Sequence, residues 1–365
     1  MPSSEILFFA GFIFFILTML VIDLGVFSKT NHVVSFKEAA IWSGVWVSLA
    51  MGFYFVIRYH GDWIHSVKDF GELKLLFTKY AAEGVVPIAN NFELSLEIYR
   101  KNMAFEFLTG YFLEYSLSAD NIFVIIMIFT SFGVKEKYYK KVLFWGILGA
   151  LIMRFIFIFV GSALIQEFGG ILYLFGAFLV FTGVKMFFDD GEDEVMEPDK
   201  HPVVKLMSKY FSVYPRYVRD NFFVKRKGKK FITPLFLVLV IIELTDLVFA
   251  VDSVPAVFAV TKDPYVVFFS NIFAIMGLRS MFFFLSNIMH LFHYLKIGLA
   301  FLLTFIGLKM IFGHYLHQFG YKNEYSLFII LGILVVSIGA SLAFPPKKEI
   351  EGAVPPENPQ IPKES

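Results

Sequence analysis

Carboxylates are set into stretches of this chain that are otherwise apolar. Residues 114–121 read Glu-Tyr-Ser-Leu-Ser-Ala-Asp-Asn and run at once into Ile122-Phe123-Val124-Ile125-Ile126. Residues 243–255 hold Glu243, Thr245, Asp246, Asp252, Ser253 and Pro255 among Leu, Val, Phe and Ala, and Asp23 closes the first apolar run. Carboxylate, hydroxyl and amide oxygens are hard donors, suited to Mg²⁺, Ca²⁺ or Mn²⁺. The candidate ligands are Glu114, Asp120, Asn121, Glu243, Asp246 and Asp252, with Ser118, Thr245, Ser253 and Asp23 as weaker members. There is no cysteine, which removes thiolate metal sites, disulfides and cysteine nucleophiles together. His290 and His293 stand at i, i+3, but they fall in a connection and are not taken as ligands. Neither an H-E-x-x-H motif nor a nucleophile–base pair is evident. An enzyme is therefore not expected, and a metal ion would be cargo rather than a resident cofactor.

Each carboxylate in a membrane span costs about 2.5–3.5 kcal/mol on insertion scales, and five of them cost more than about 10 kcal/mol by simple addition. Arg154 and Arg279 are the basic residues read as deep in spans, too few to compensate. A cation from outside the chain would complete the balance. Helical spacing puts Glu114, Ser118 and Asn121 on one face, with Asp120 turned away, and Glu243 and Asp246 on another. Pro255 removes the hydrogen bond to the Val251 carbonyl, so the sixth span is expected to break near Asp252, as unwound backbone does where it lines a cavity. The plainer alternative is that these acids pair with Arg154, Arg279 or backbone donors and hold helices together.

The elements that carry these residues follow from composition. Hydrophobic residues make up 57% of 365 positions, charged residues 17%, and mean hydropathy is +0.68. Soluble domains are less apolar and more charged. A net charge of +1 with no basic face argues against nucleic acid as a partner. Nine apolar runs reach the length of a spanning helix: about 5–28, 38–59, 103–132, 142–165, 169–189, 233–258, 265–287, 291–313 and 325–344. The first lacks a basic start and a cleavage site, so it reads as a span rather than a signal peptide. The fold class is thus all-α and polytopic, with residues 1–344 as a single transmembrane domain. Lys and Arg number 20 in one set of connections and 7 in the other, which places the N-terminus outside and the C-terminus in the cytoplasm of a cell (inner) membrane protein. Residues 60–102 then lie outside, with an amphipathic helix around Glu72–Phe77. Residues 190–231 form a cytoplasmic loop, and 345–365 a disordered cytoplasmic tail.

An internal match supports a 3+3 inverted repeat of spans 3–5 and 6–8. Gly146–Phe159 (GILGALIMRFIFIF) aligns with Asn271–Phe284 (NIFAIMGLRSMFFF) at an offset of 125, placing Arg154 against Arg279. Gly183-Val184-Lys185-Met186 matches Gly307-Leu308-Lys309-Met310 at 124, and Asp120 faces Asp246 at 126. Three spans per unit invert the second copy. Transporters use such repeats with the site at the midplane between them, which predicts Asp120 near Asp246.

The acidic segments, together with Thr233-Pro234-Leu235-Phe236 and Asn271-Ile272-Phe273-Ala274-Ile275-Met276-Gly277-Leu278-Arg279, resemble the TerC family from the first span to about residue 344. That family is similar to the lysine-exporter superfamily in fold, is named for tellurite resistance and includes Mn²⁺ exporters. The resemblance implies manganese efflux, with Glu114, Asp120, Asp246 and Asp252 at the family's acidic positions. It also implies an alternative role as a membrane scaffold or metal-delivery component linked to tellurite resistance or to metalation of secreted proteins, with membrane or secretion-machinery partners. The segment from about 70 to 100 looks longer than the family's usual connection. Tellurite is an oxyanion and has the wrong sign for an acidic site. Transport of a hard divalent cation, with buried carboxylates exchanging metal for protons, is the function expected from the residues, and export is the direction that the resemblance implies.

Overall fold

The computed structural model describes residues 3–28, 34–80, 86–88, 91–168, 170–188, 202–226, 228–288, 294–318, 321 and 323–344. Nine of its helices are long and apolar enough to cross a membrane: α1 (Ser3–Ser28), α2 (Phe36–His60), α5 (Phe92–Ser131), α6 (Glu136–Glu167), α7 (Ile171–Phe188), α9 (Pro234–Phe258), α10 (Pro264–Ile288), α11 (Leu295–Gln318) and α12 (Asn323–Ala343). Two short helices, α3 (Asp62–His65) and α4 (Phe70–Tyr80), lie between α2 and α5. Between α7 and α9 come α8 (Pro202–Tyr210) and an antiparallel hairpin, β1 (Phe223–Arg226) and β2 (Lys229–Ile232), paired Phe223 to Ile232. The hairpin turns through Gly228 at φ 76°, a left-handed conformation that glycine adopts without strain. The tail from residue 345 lies outside the described residues.

Local chemistry explains most boundaries. Ser35 and Asn91 cap α2 and α5, accepting from the Glu38 and Leu94 backbone N–H groups. Thr233 precedes Pro234 and Asp263 precedes Pro264, so both later core helices begin on a proline whose missing N–H is no loss there. The helix that carries the third span runs for 40 residues from Phe92, beyond the apolar run that begins near 103, because nothing between Asn91 and Ser131 breaks it. One expectation is corrected. Pro255 does not interrupt the sixth span: α9 continues to Phe258, and the Ala259 N–H bonds back to the Pro255 carbonyl at 3.0 Å. The bond lost at Val251 falls in the last turns, where Ser253 to Phe258 are all buried and hold the helix on course.

The helix α10 is the centre of the bundle, flanked by α2, α5 and α6, and its most apolar stretch is fully enclosed. Apolar faces gain little by leaving lipid for protein, so close packing must hold spans together. Aromatic rings supply part of it: Phe12 of α1 lies 4.5 Å from Phe269, and Phe53 of α2 lies 4.9 Å from Phe273. Glycine supplies the rest where α7 crosses α11. A side chain at Gly183 would meet the Ala300 carbonyl oxygen at 2.8 Å, and one at Gly307 would meet the Gly176 carbonyl oxygen at 2.6 Å. Adding 124 to 176 and 183 gives 300 and 307, so this contact maps onto itself at the offset of the sequence match. The pairs α5·α10 and α6·α9 exchange under the same operation.

Gly307→Ala should destabilise the bundle by about 1–3 kcal/mol, because backbone rather than a flexible side chain meets the added methyl. Gly332→Ala on α12, where nothing lies within 4 Å, should leave the thermal midpoint of the detergent-purified protein unchanged or raised. Equal midpoints for the two variants would contradict the close crossing.

Candidate functional site

Arg154 projects from α6 into the core and is 1% exposed. Its Nη1 donates to Glu114 of α5 and, at 2.6 Å, to Asn271 Oδ1 of α10. Its Nη2 lies 3.7 Å from Asp246 of α9. One guanidinium thus joins four helices, which its planar fork of five donors permits and a lysine would not. Glu114 is fully buried, whereas the Asp246 side chain is 19% exposed. Ser253 of α9 also faces Glu114. A buried charge is tolerated when paired and hydrogen-bonded, and here the pairing is incomplete. Among the described residues, Glu114 Oε2, Asp246 Oδ2, Ser253 Oγ, Ser118 Oγ, Asn121 Nδ2 and Arg154 Nε are all buried without a hydrogen-bond partner. Orphaned polar atoms are few in ordinary interiors, and here most of them are oxygens on α5 and α9.

The other candidate residues are distributed around this centre. Ser118 and Asn121 are buried on the α5 face that carries Glu114. Glu243 lies against α6 with its carboxylate over the backbone at Gly149, where a side chain would collide with it. Thr245 donates to the Ile241 carbonyl of its own helix, 2.7 Å away, a common way for a hydroxyl to be satisfied in a span. Asp252 is turned to α7, accepting from Thr182 Oγ1 at 3.3 Å, and so stands apart from the Arg154 centre. The backbones of Asp23 and Asp120 belong to α1 and α5; their side chains, and His290 and His293, lie outside the described residues.

The charge balance read from sequence needs amendment. Arg154 is a partner of both Glu114 and Asp246, so part of the compensation comes from the chain itself. One positive charge still faces two negative ones. Lys309, 8% exposed, is a third deep cation that the apolar pattern of α11 concealed. Asn271 was also missed as a site residue, although it opens the segment aligned with Gly146–Phe159, because its counterpart at the offset is a glycine.

These features define a polytopic helical membrane protein with a charged, oxygen-rich core. The model of the integral membrane protein TerC family matches residues 99–349. An "Uncharacterized membrane protein STKORF319" of Myxococcus xanthus is 41% identical over 333 residues, 91% of each chain. The "Putative membrane-bound redox modulator Alx" of Escherichia coli K12 is 40% identical over 91% of this chain and 92% of its own. An "Uncharacterized membrane protein" of Rickettsia bellii is 37% identical over 90% and 94% respectively. No solved structure matches. The chain belongs to the TerC family.

Removing Arg154 strands two carboxylates in the core. Arg154→Met should cost about 3–5 kcal/mol, the usual result of breaking a buried pair from one side. The double variant Glu114→Gln/Arg154→Met should recover most of that loss, since one buried charge goes with each partner. Thermal unfolding in detergent checks both; an Arg154→Met protein as stable as the parent would show that the centre carries no such coupling.

Proposed function

We propose that this chain exports a hard divalent cation, with Mn²⁺ as the substrate, through the acidic core around Arg154. The observation that carries the reading is the incomplete pairing there: two carboxylates share one guanidinium, and buried oxygens of Glu114, Asp246, Ser118 and Ser253 lack partners among the described residues. Oxygen donors in that number would take the place of an ion's hydration shell. Arg154 then acts as a tethered counter-ion. Between turnovers it neutralises Glu114 and Asp246, and Asn271, already 2.6 Å away, can hold the guanidinium when a divalent ion takes its place. Asp120 joins the set through its position in the family's acidic motif.

The reciprocal crossing of α7 and α11 and the exchange of helix pairs favour an inverted repeat of α5–α7 and α9–α11, which serves alternating access around a central site. The Lys and Arg distribution favours a cell-membrane orientation with α3 and α4 outside and the α8–hairpin segment in the cytoplasm. The reading also accommodates the Alx relatives, whose names describe redox modulation. With no cysteine, this chain would influence redox state through the metal it moves rather than by thiol exchange of its own. Transport, and not catalysis, is the activity assigned.

Mn²⁺ is favoured over Mg²⁺ because Mg²⁺ sheds water reluctantly and demands near-ideal octahedral geometry. Zn²⁺ and Cu⁺ gain most from nitrogen and sulfur ligands, which this centre lacks. In proteoliposomes the parent should move Mn²⁺ and not Na⁺ or K⁺. Asp246→Asn, which keeps the shape and the fold, should lower Mn²⁺ flux by about tenfold or more, given the worth of a charged ligand. Parent flux of Zn²⁺ without Mn²⁺, or no metal flux at all, would refute the assignment; the latter would favour a scaffold.

A further inference from the structure

A second buried polar cluster lies at the end of the bundle capped by α3 and α4. Glu106 of α5 is 4% exposed. It accepts from Asn102 Nδ2 at 2.7 Å and from Thr261 Oγ1 at 2.6 Å, both neutral donors. Asp263 follows in the α9–α10 connection, and its backbone N–H bonds to the same Thr261 hydroxyl at 3.2 Å. Tyr99, 6% exposed, has a hydroxyl with no hydrogen-bond partner among the described residues. Tyr99, Asn102, Glu106 and Asp263 line one small cavity of about 10 Å³, on the order of a single water molecule. Lys309 of α11 lies within electrostatic reach of Glu106, also with no hydrogen-bond partner among the described residues. A buried carboxylate held by neutral donors, beside a buried hydroxyl and room for water, suits a proton.

Asp263, one of the residues lining the cavity beside Phe77 and Tyr80 of α4, is held in a buried pair. His65 Nε2 lies 2.7 Å from Asp263 Oδ2, with the two side chains 7% and 3% exposed. The ring is stacked on Tyr80 at 5.3 Å and meets Tyr265 edge-on at 5.2 Å. Burial works against a charged imidazole, but the Asp263 carboxylate outweighs it; Glu5 adds to the effect and Lys79 opposes it, so the His65 pKa lies above its ordinary value. The charged pair is therefore intact at low pH and is lost as pH rises through that raised value.

We propose that Glu106 is a proton-binding site, set between the Arg154 core and the α3–α4 cap and opened to water when His65 parts from Asp263. Glu106 stands about 12 Å from Glu114 along α5, two helical turns. A proton entering from the cap side passes through the cavity water and the Tyr99 hydroxyl to a Glu106 oxygen. The Thr261 hydroxyl then turns to accept from the new O–H, and Lys309 loses its negative neighbour. The proton leaves toward the acidic core as the metal ion departs, so only O–H bonds are made and broken. The binding site stands on its own geometry, and its coupling role rests on the transport reading above.

Two measurements on the full-length protein test it. Infrared difference titration should show a buried protonated-carboxyl band that Glu106→Gln lacks; an unchanged band in that variant overturns the proposal. In proteoliposomes, Glu106→Gln should lose about tenfold or more of pH-gradient-driven Mn²⁺ accumulation while Mn²⁺ exchange at equal pH stays near the parent rate. Equal loss of both would make Glu106 a structural or metal-path residue instead. If the parent moves no metal but the band still depends on Glu106, the transport reading fails and the proton site stands. The native absence of cysteine permits a check that leaves Glu106 intact. Met103→Cys, beside the cavity, should react with a membrane-impermeant thiol reagent faster as pH rises, beyond the thiolate trend of exposed Leu75→Cys. Adding His65→Asn should make it fast throughout. Identical trends at the two positions overturn the closure.

Discussion

The bundle is organised around one charge that lipid would not accept. Arg154 can be buried because Glu114, Asp246 and Asn271 meet it from three other helices. Each of those groups is in turn tolerable in the core because of Arg154. The cost of leaving any one alone is several kcal/mol in a protein interior, so the four helices α5, α6, α9 and α10 are fixed to one another in register. The aromatic packing of α1 and α2 on α10 and the glycine crossing of α7 on α11 build outward from that unit.

The same centre is poor as a purely structural device. An ion pair kept for stability is best fully satisfied, yet orphan oxygens surround this one, and its two carboxylates outnumber its cation. Replacing it by well-packed apolar groups would be neutral or favourable for folding. A charge arrangement of that kind makes physical sense when another cation enters and leaves it. Glycine at 149 keeps α6 close enough for the Glu243 side chain to lie on its backbone, adding a further carboxyl group near Asp246.

Two polar regions divide the length of the bundle. Both draw on both halves of the chain: the Arg154 centre through α5, α6, α9 and α10, and the Glu106 cluster through α5, the α9–α10 connection and the cap. Asp263 serves twice there, capping α10 through the Tyr265 N–H at 3.0 Å and holding His65 with its other oxygen. The cap is therefore tied to the first turn of the most enclosed helix.

The sequence by itself determined the class of fold. Runs of apolar residues long enough to span a bilayer leave the backbone no alternative to helix, and the acidic residues stood out because lipid makes each of them expensive. It also exposed Arg154 as one of few deep cations and Gly183 and Gly307 as aligned positions. Tertiary structure decided what those residues meet. Periodicity gives the face of a helix but not its neighbour, so the choice of Glu114 and Asp246 as partners of Arg154, and the turning of Asp252 to Thr182, were not legible. Pro255 misled because a proline's effect depends on how the following turn is packed. Glu106, Asp263 and His65 escaped notice, and Lys309 stood out only as a repeat position, because they lie in separate segments with no shared spacing; folding alone brings them together, and a proton site of that kind leaves no motif.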